Sequence, residues 1–189
     1  SGREALNSNT TGGNNTASGY KALYSNTEGS KNTASGEDAL YSNTTGSFNT
    51  ASGTFALQDN TTGGSNTALG WAALQSNTEG GANTAVGHFA LINHEAGDYN
   101  TAIGYWADVP YGAGAITNAT AIGYRARVNA SNKVRLGNTD VTVIEGQVAF
   151  SNASDERIKT DITETKYGLK TALSLKPVDY TMISNEQRN

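Results

Sequence analysis

Apolar residues along the first two-thirds of this chain fall one or two at a time, at a fixed interval and never in long runs. Leu6, Leu23, Leu40, Leu57, Leu74 and Leu91 stand 17 residues apart. The same step separates Gly12, Gly29, Gly46, Gly63, Gly80 and Gly97, and again Gly19, Gly36, Gly53, Gly70, Gly87 and Gly104. Asn-Thr-Ala begins at Asn15, Asn32, Asn49, Asn66, Asn83 and Asn100, in the same phase. Four ladders with one period define a stacked repeat, N-T-A-[SLVI]-G-x-x-A-L-x-x-N-T-x-G-x-x. Thr120-Ala121-Ile122-Gly123-Tyr124 restarts the core 19 residues after Thr101, the first change of phase.

Within a unit, Thr-Ala-x-Gly predicts a short strand and Asn-Thr-x-Gly a turn, where Asn bonds its own backbone and Gly supplies positive φ. Between them, Tyr20, Leu23 and Tyr24 fit one helical turn, while Ala17, Gly19 and Leu23 fit a bent second strand. The reading adopted is strand, then a tight corner or single helical turn, then loop. Stacking sets equivalent residues about 4.7–4.8 Å apart in parallel strands. Leu, Ala and Asn then form ladders, and the Asn ladder caps backbone groups between rungs. The residue before the strand glycine runs Ser18, Ser35, Ser52, Leu69, Val86, Ile103 and Ile122. Read as a core position, it predicts a wetter, less stable N-terminal end.

Composition restricts the class. Hydrophobic residues are 36%, mean hydropathy is -0.49, and Gly, Asn, Thr and Ala number 22, 21, 24 and 25 in 189 residues. One unit offers Ala17, Tyr20, Ala22, Leu23 and Tyr24 as its apolar supply, less than is needed to order 17 residues. A parallel homo-oligomer is the simplest source of further burial. Charged residues are only 16% and net charge is -4, which excludes a disordered polyelectrolyte. The same acidic balance excludes nucleic acid as the main partner. Membrane insertion is not expected, since no apolar run approaches a span of about 20 residues. With no Cys and two His (His88 and His94), no metal and no cofactor are expected. Ser1-Gly2-Arg3-Glu4 carries no hydrophobic leader, and a repeat is already under way there. The chain reads as a piece of a longer protein.

The Asn-Thr-Ala-Ile-Gly-Tyr repeat resembles the head repeats of YadA-like trimeric autotransporter adhesins and the repeats of phage tail fibres and related bacterial fibres. The adhesin heads are parallel β-rolls with repeats of about 14 residues. The resemblance covers 1–125 and implies a mainly β, trimeric parallel β-solenoid.

Past Tyr124 the pattern changes. Val134-Arg135-Leu136, Val141-Thr142-Val143-Ile144 and Gln147-Val148-Ala149-Phe150 predict three strands, read as an intertwined β-neck over 126–153. In 154–189, Leu169, Ala172, Leu173 and Leu175 fit a short helix ended by Pro177, with Val178–Met182 a strand. The order S-D-x-R-x-K, then G-L-x-x-x-L-x-L-x-P-V-x-Y, resembles the start of the endosialidase-type intramolecular chaperone. That domain promotes trimerisation at the C-terminus of phage spikes and fibres, and many members release it by self-cleavage. The resemblance implies Ser154 as nucleophile and Lys159 as base, with cleavage beside Asp155, in the full-length parent. A lysine does this only when burial or a nearby cation such as Arg157 lowers its pKa.

The remaining candidate chemistry is adhesive. Tyr20, Trp71, His88, Tyr105 and Tyr124, with Phe55, Phe89 and Trp106, recur at the corner and offer faces to sugars. Tyr105-Trp106 with the insertion Asp108–Ala115, including Tyr111, is the leading binding candidate, because irregular loops carry specificity in solenoids. The expected partners are two further copies of the chain and a cell-surface glycan or other envelope component, on a virion tail fibre or bacterial surface. A spacer that only sets fibre length is one rival reading. An ice-binding face is another, built on Thr16, Thr33, Thr50, Thr67, Thr84 and Thr101.

Overall fold

A computed structural model of the chain describes residues 1–110, 112 and 114–145. The chain divides into two units, Ser1–Val143 and Ile144–Asn189. The first unit is a parallel β-solenoid. Seven strands, β1 (Thr16–Ser18), β2 (Thr33–Ser35), β3 (Thr50–Ser52), β4 (Thr67–Leu69), β5 (Thr84–Val86), β6 (Thr101–Ile103) and β7 (Thr120–Ile122), stack in sequence order. An eighth, β8 (Val134–Leu136), continues the same sheet. Every pairing is parallel and in register, Thr on Thr and Ala on Ala from β1 to β7. Among the described residues there is no helix.

In a three-residue strand only the middle side chain points one way, and here it points inward. Ala17, Ala34, Ala51, Ala68, Ala85, Ala102 and Ala121 are buried, as is the second column Ala22 to Ala126. Leu23, Leu40, Leu57, Leu74 and Leu91 fill the space between them. The interior is thus closed within one chain by small side chains, and needs no apolar residues from elsewhere. The position occupied by Ser18, Ser35, Ser52, Leu69, Val86, Ile103 and Ile122 is not a core position. It shares the outer face with Thr, because residues two apart on a strand point the same way. The expectation of a wetter interior at the N-terminal end falls with it.

Two asparagine ladders line the rest of the interior. Asn43 Nδ2 donates to Asn26 Oδ1 at 2.8 Å and to the Gly46 carbonyl at 3.0 Å, and Asn60 and Asn77 repeat this one rung on. In the second ladder the Asn49 amide donates to Asn32 Oδ1 at 2.9 Å while Asn49 Nδ2 donates to the Gly63 carbonyl at 2.8 Å. In the first ladder each buried amide closes its own turn and the gap to its neighbour, and in the second it bonds one rung back and one rung on.

The corner is neither a helical turn nor a strand. Lys21 and Leu23 both lie in the left-handed region at φ 53°, and the leucine column keeps φ between 51° and 56° from Leu6 to Leu91. A non-glycine residue there costs about 1–2 kcal/mol. The return is that successive peptides point to opposite neighbours: the Lys21 amide donates to the Arg3 carbonyl and the Leu23 amide to the Ala39 carbonyl, each at 3.0 Å. The glycine before the corner has φ 148° at Gly19 and 138° at Gly53, and a Cβ on either would strike the backbone of the next rung.

Three strands were expected in 134–150. The first is β8, Val141–Ile144 carries no strand, and the third lies outside the described residues. So does the expected helix ended by Pro177 and the strand after it.

Candidate ligand-binding surface

The corner presents two columns. The first residue after the strand glycine faces outward: Tyr20, Glu37, Thr54, Trp71, His88, Tyr105 and Tyr124. The second adopts the left-handed conformation, with φ 52–61°: Lys21, Asp38, Phe55, Ala72, Phe89, Trp106 and Arg125. In-register stacking brings each side chain over its equivalent, so aromatic residues 17 or 19 apart become neighbours.

The C-terminal half of the array is a continuous aromatic ribbon. Trp71 meets Phe55 edge-on at 5.8 Å, His88 at 5.0 Å and Phe89 edge-on at 4.7 Å between ring centroids. His88 reaches Tyr105 at 5.4 Å, Phe89 reaches Trp106 at 5.3 Å, and Tyr105 stacks on Tyr124 at 5.7 Å with planes 18° apart. Such pairs contribute about 0.5–1.5 kcal/mol each beyond burial, so corner packing is one role of these rings. It does not consume them. Trp71 and Tyr105 remain 41% exposed and Tyr124 55%. Nearer the N-terminus the ribbon gives way to a stacked Tyr24–Tyr41 pair, with Lys21 Nζ 5.5 Å from the Tyr24 ring centroid and 5.7 Å from that of Tyr41.

The structure brings Trp71, His88, Tyr105 and Trp106 together on one corner. Tyr111 lies outside the described residues. The insertion expected to carry binding begins inside the wall: Asp108 and Val109 are buried, and Ile116 returns to the core. Backbone bonds from Leu91 to Ala107 and from Asp108 to Ala126 put Asp108 and then Arg127 in the place of the leucine column, while Val109 and Val128 fill the core. Asn93 Nδ2 donates to Asp108 Oδ2 at 2.5 Å. Burial pushes the Asp108 carboxyl up to about 6, against the opposing pull of hydrogen bonds from Val109 and Asn93 and of the Arg127 charge.

Arg125 was not among the sequence candidates. Its guanidinium lies 5.3 Å from the ring centroids of both Trp106 and Tyr124, within cation–π range. The signal was available, since Arg125 follows Tyr124 as Trp106 follows Tyr105. His94 was likewise overlooked: it stands 17 residues after Asn77, in an asparagine ladder.

A stacked β-solenoid with a corner of exposed aromatic faces is the class this geometry defines. Comparison with known proteins adds a second element. The family described as chaperone of endosialidase matches residues 154–189. Ser154, Asp155 and Lys159 fall within that stretch and outside the described residues. A search of curated proteins found no match to the chain.

Proposed function

We propose that this chain is the repeat array and the start of the chaperone of a homotrimeric fibre protein that attaches to cell surfaces, on a phage tail or a bacterial envelope. The observation that carries the proposal is the outer face of the sheet. Leu69, Ile103, Ile122 and Leu136 are each between 39% and 42% exposed and, with Val86, run down consecutive strands as one apolar stripe. The core is complete without them, so their burial against another surface is additional, on the order of 1 kcal/mol per side chain. The chaperone-of-endosialidase segment after the solenoid supports two further copies as the partner, because that family serves trimeric fibres. In this reading the repeats are of the YadA-like head type, 1–125 is the shaft, 126–153 the neck and 154–189 the truncated chaperone. Ser154 and Lys159 act only in self-cleavage of the full-length parent. The aromatic corner is the adhesive surface.

Sedimentation of the chain at micromolar concentration tests the assembly. The expected species is a trimer, and Ile103→Glu with Ile122→Glu gives a folded monomer with unchanged β circular dichroism. A wild-type monomer, or a variant that stays trimeric, overturns it. Attachment of the labelled trimer to cell envelopes tests adhesion, and loss of that attachment leaves a spacer.

A further inference from the structure

At the C-terminal edge of the solenoid the regular stacking stops short. The last backbone bond between the seventh and eighth rungs, among the described residues, runs from the Gly137 amide to the Ile122 carbonyl at 2.7 Å. Beyond it, a corner residue would have to donate to Tyr124 as Arg125 donates to Tyr105 and Trp106 to His88. Instead Asn138 and Asp140 fold on each other: Asn138 Nδ2 donates to Asp140 Oδ2 and the Asp140 amide to Asn138 Oδ1, each at 3.0 Å. Beside that turn lies an open cleft of about 650 Å³, within the range of about 300–1,000 Å³ usual for small-ligand sites.

Its lining is unlike the rest of the described residues. One wall is aromatic, made by Trp106 and Tyr124; Arg125, Arg127 and Arg135 bring three guanidinium groups; and the turn at 138–140 supplies amide, hydroxyl and carboxylate groups. These are three of the chain's six arginines, in a protein of net charge -4. Among the described residues the ion pairs involve only Glu4, with Arg3 and Lys21, and no described carboxylate lies within pairing distance of the three arginines. Arg135 Nε donates to the Gly137 carbonyl at 2.9 Å, which orients its guanidinium. The Arg125 guanidinium carbon lies 5.3 Å from the ring centroids of both Trp106 and Tyr124.

From this arrangement we infer that the cavity is a binding site for a carboxylate-bearing saccharide. A guanidinium fork matches a carboxylate with two parallel hydrogen bonds. Aromatic faces suit the C–H face of a pyranose ring, and Asn138 and Thr139 suit its hydroxyls. A neutral sugar would make no use of the three guanidinium charges. A nucleic acid would need a basic track along its backbone, and this chain is acidic, with net charge -4.

The inference rests on the adhesive reading and sharpens it. The test is titration of the chain carrying Trp71→Phe, so that Trp106 alone reports, with trigalacturonate, neutral galactotriose and a sulfated galactotriose. Expected is saturable quenching by trigalacturonate, at least tenfold weaker binding of the neutral sugar, and a tenfold or greater loss in Arg125→Gln and in Arg127→Gln, with folding checked by circular dichroism. Equal binding of neutral and acidic sugars overturns the inference, as does wild-type affinity in both arginine variants. Preference for the sulfated sugar overturns the carboxylate assignment. Envelope attachment that survives both arginine variants removes this site and leaves the adhesive reading standing, whereas no attachment by the wild-type trimer removes that reading itself.

Discussion

His94 interrupts an otherwise regular asparagine ladder, and replacing it by asparagine isolates the cost of the interruption. In the rungs before it, each Asn Nδ2 donates both to the preceding Asn Oδ1 and to the glycine carbonyl three residues on. His94 keeps one of these, its Nε2 lying 3.1 Å from the Gly97 carbonyl. It loses the other. Asn77 Oδ1 and His94 Nδ1 are both buried without a partner. A buried polar atom without a partner costs about 1–3 kcal/mol. His94→Asn supplies the donor to Asn77 and removes Nδ1, at the expense of a smaller side chain that gives back about 1 kcal/mol. The net expectation is a gain of about 1–5 kcal/mol at pH 7.5, which raises Tm by ~2–4 °C per kcal/mol in a chain of this size.

The pH dependence of the same variant has a fixed sign. Burial lowers the His94 pKa from its ordinary 6.5. As pH falls below 6.5 the unfolded chain takes up a proton that the folded chain resists, so the wild type loses stability until the folded pKa is passed. His94→Asn lacks this loss, and its advantage therefore widens between pH 7.5 and pH 5. Paired thermal melts at the two pH values cancel the contribution of every other titrating group. A variant no more stable than wild type, or an advantage that shrinks at pH 5, refutes the reasoning.

Asp108 gives the opposite slope. Its folded pKa is raised to about 6 by burial, so between about pH 4 and 6 the folded chain keeps a proton that the unfolded chain has released, and stability falls as pH rises through that window. Asp108→Asn abolishes a loss of about 3 kcal/mol, leaving the variant equal to wild type at pH 4 and more stable at pH 7.5; identical melts at both pH values refute this. In the full-length parent, Ser154→Ala is expected to leave the chain unprocessed by mass spectrometry, and an unchanged processing pattern removes Ser154 from the mechanism.

Translation along a stack explains which parts of the fold were legible. Equivalent residues touch one another, so an in-register array writes its ladders directly into the sequence: the Asn columns, Leu23 to Leu91 and the strand alanines all follow from the 17-residue step. The outward direction of Ser18, Ser35 and Ile103 was legible too, since they flank the invariant alanine as Thr does, but the hydrophobic trend along that column suggested a core. The corner was not legible. Lys21, Leu23, Phe55 and Trp106 have poor left-handed propensity, and only bonds to both neighbouring rungs hold them there. The arginine pocket was hidden by the change of phase: Arg125, Arg127 and Arg135 share no period, and they converge only where the stack ends.

In a repeat array every regular rung offers the same surface as the next, so recognition has to come from positions where the translation fails. The failures here are grouped. The asparagine ladder breaks at His94, the leucine column ends after Leu91, the 19-residue step follows, and Arg135 takes the strand position that Ala121 holds one rung earlier. Two of these changes are unfavourable for folding, a buried histidine short of a partner and a buried carboxyl whose ionisation burial resists. The more stabilising residues stand in the same columns of the same chain, Asn at 26, 43, 60 and 77 and Leu at 23, 40, 57, 74 and 91. Folding alone gives no reason to abandon them near the C-terminal end of the stack. The proposed ligand site gives one, because Arg127 and Arg135, which replace the leucine and alanine of earlier rungs, line the 650 Å³ pocket beside Trp106.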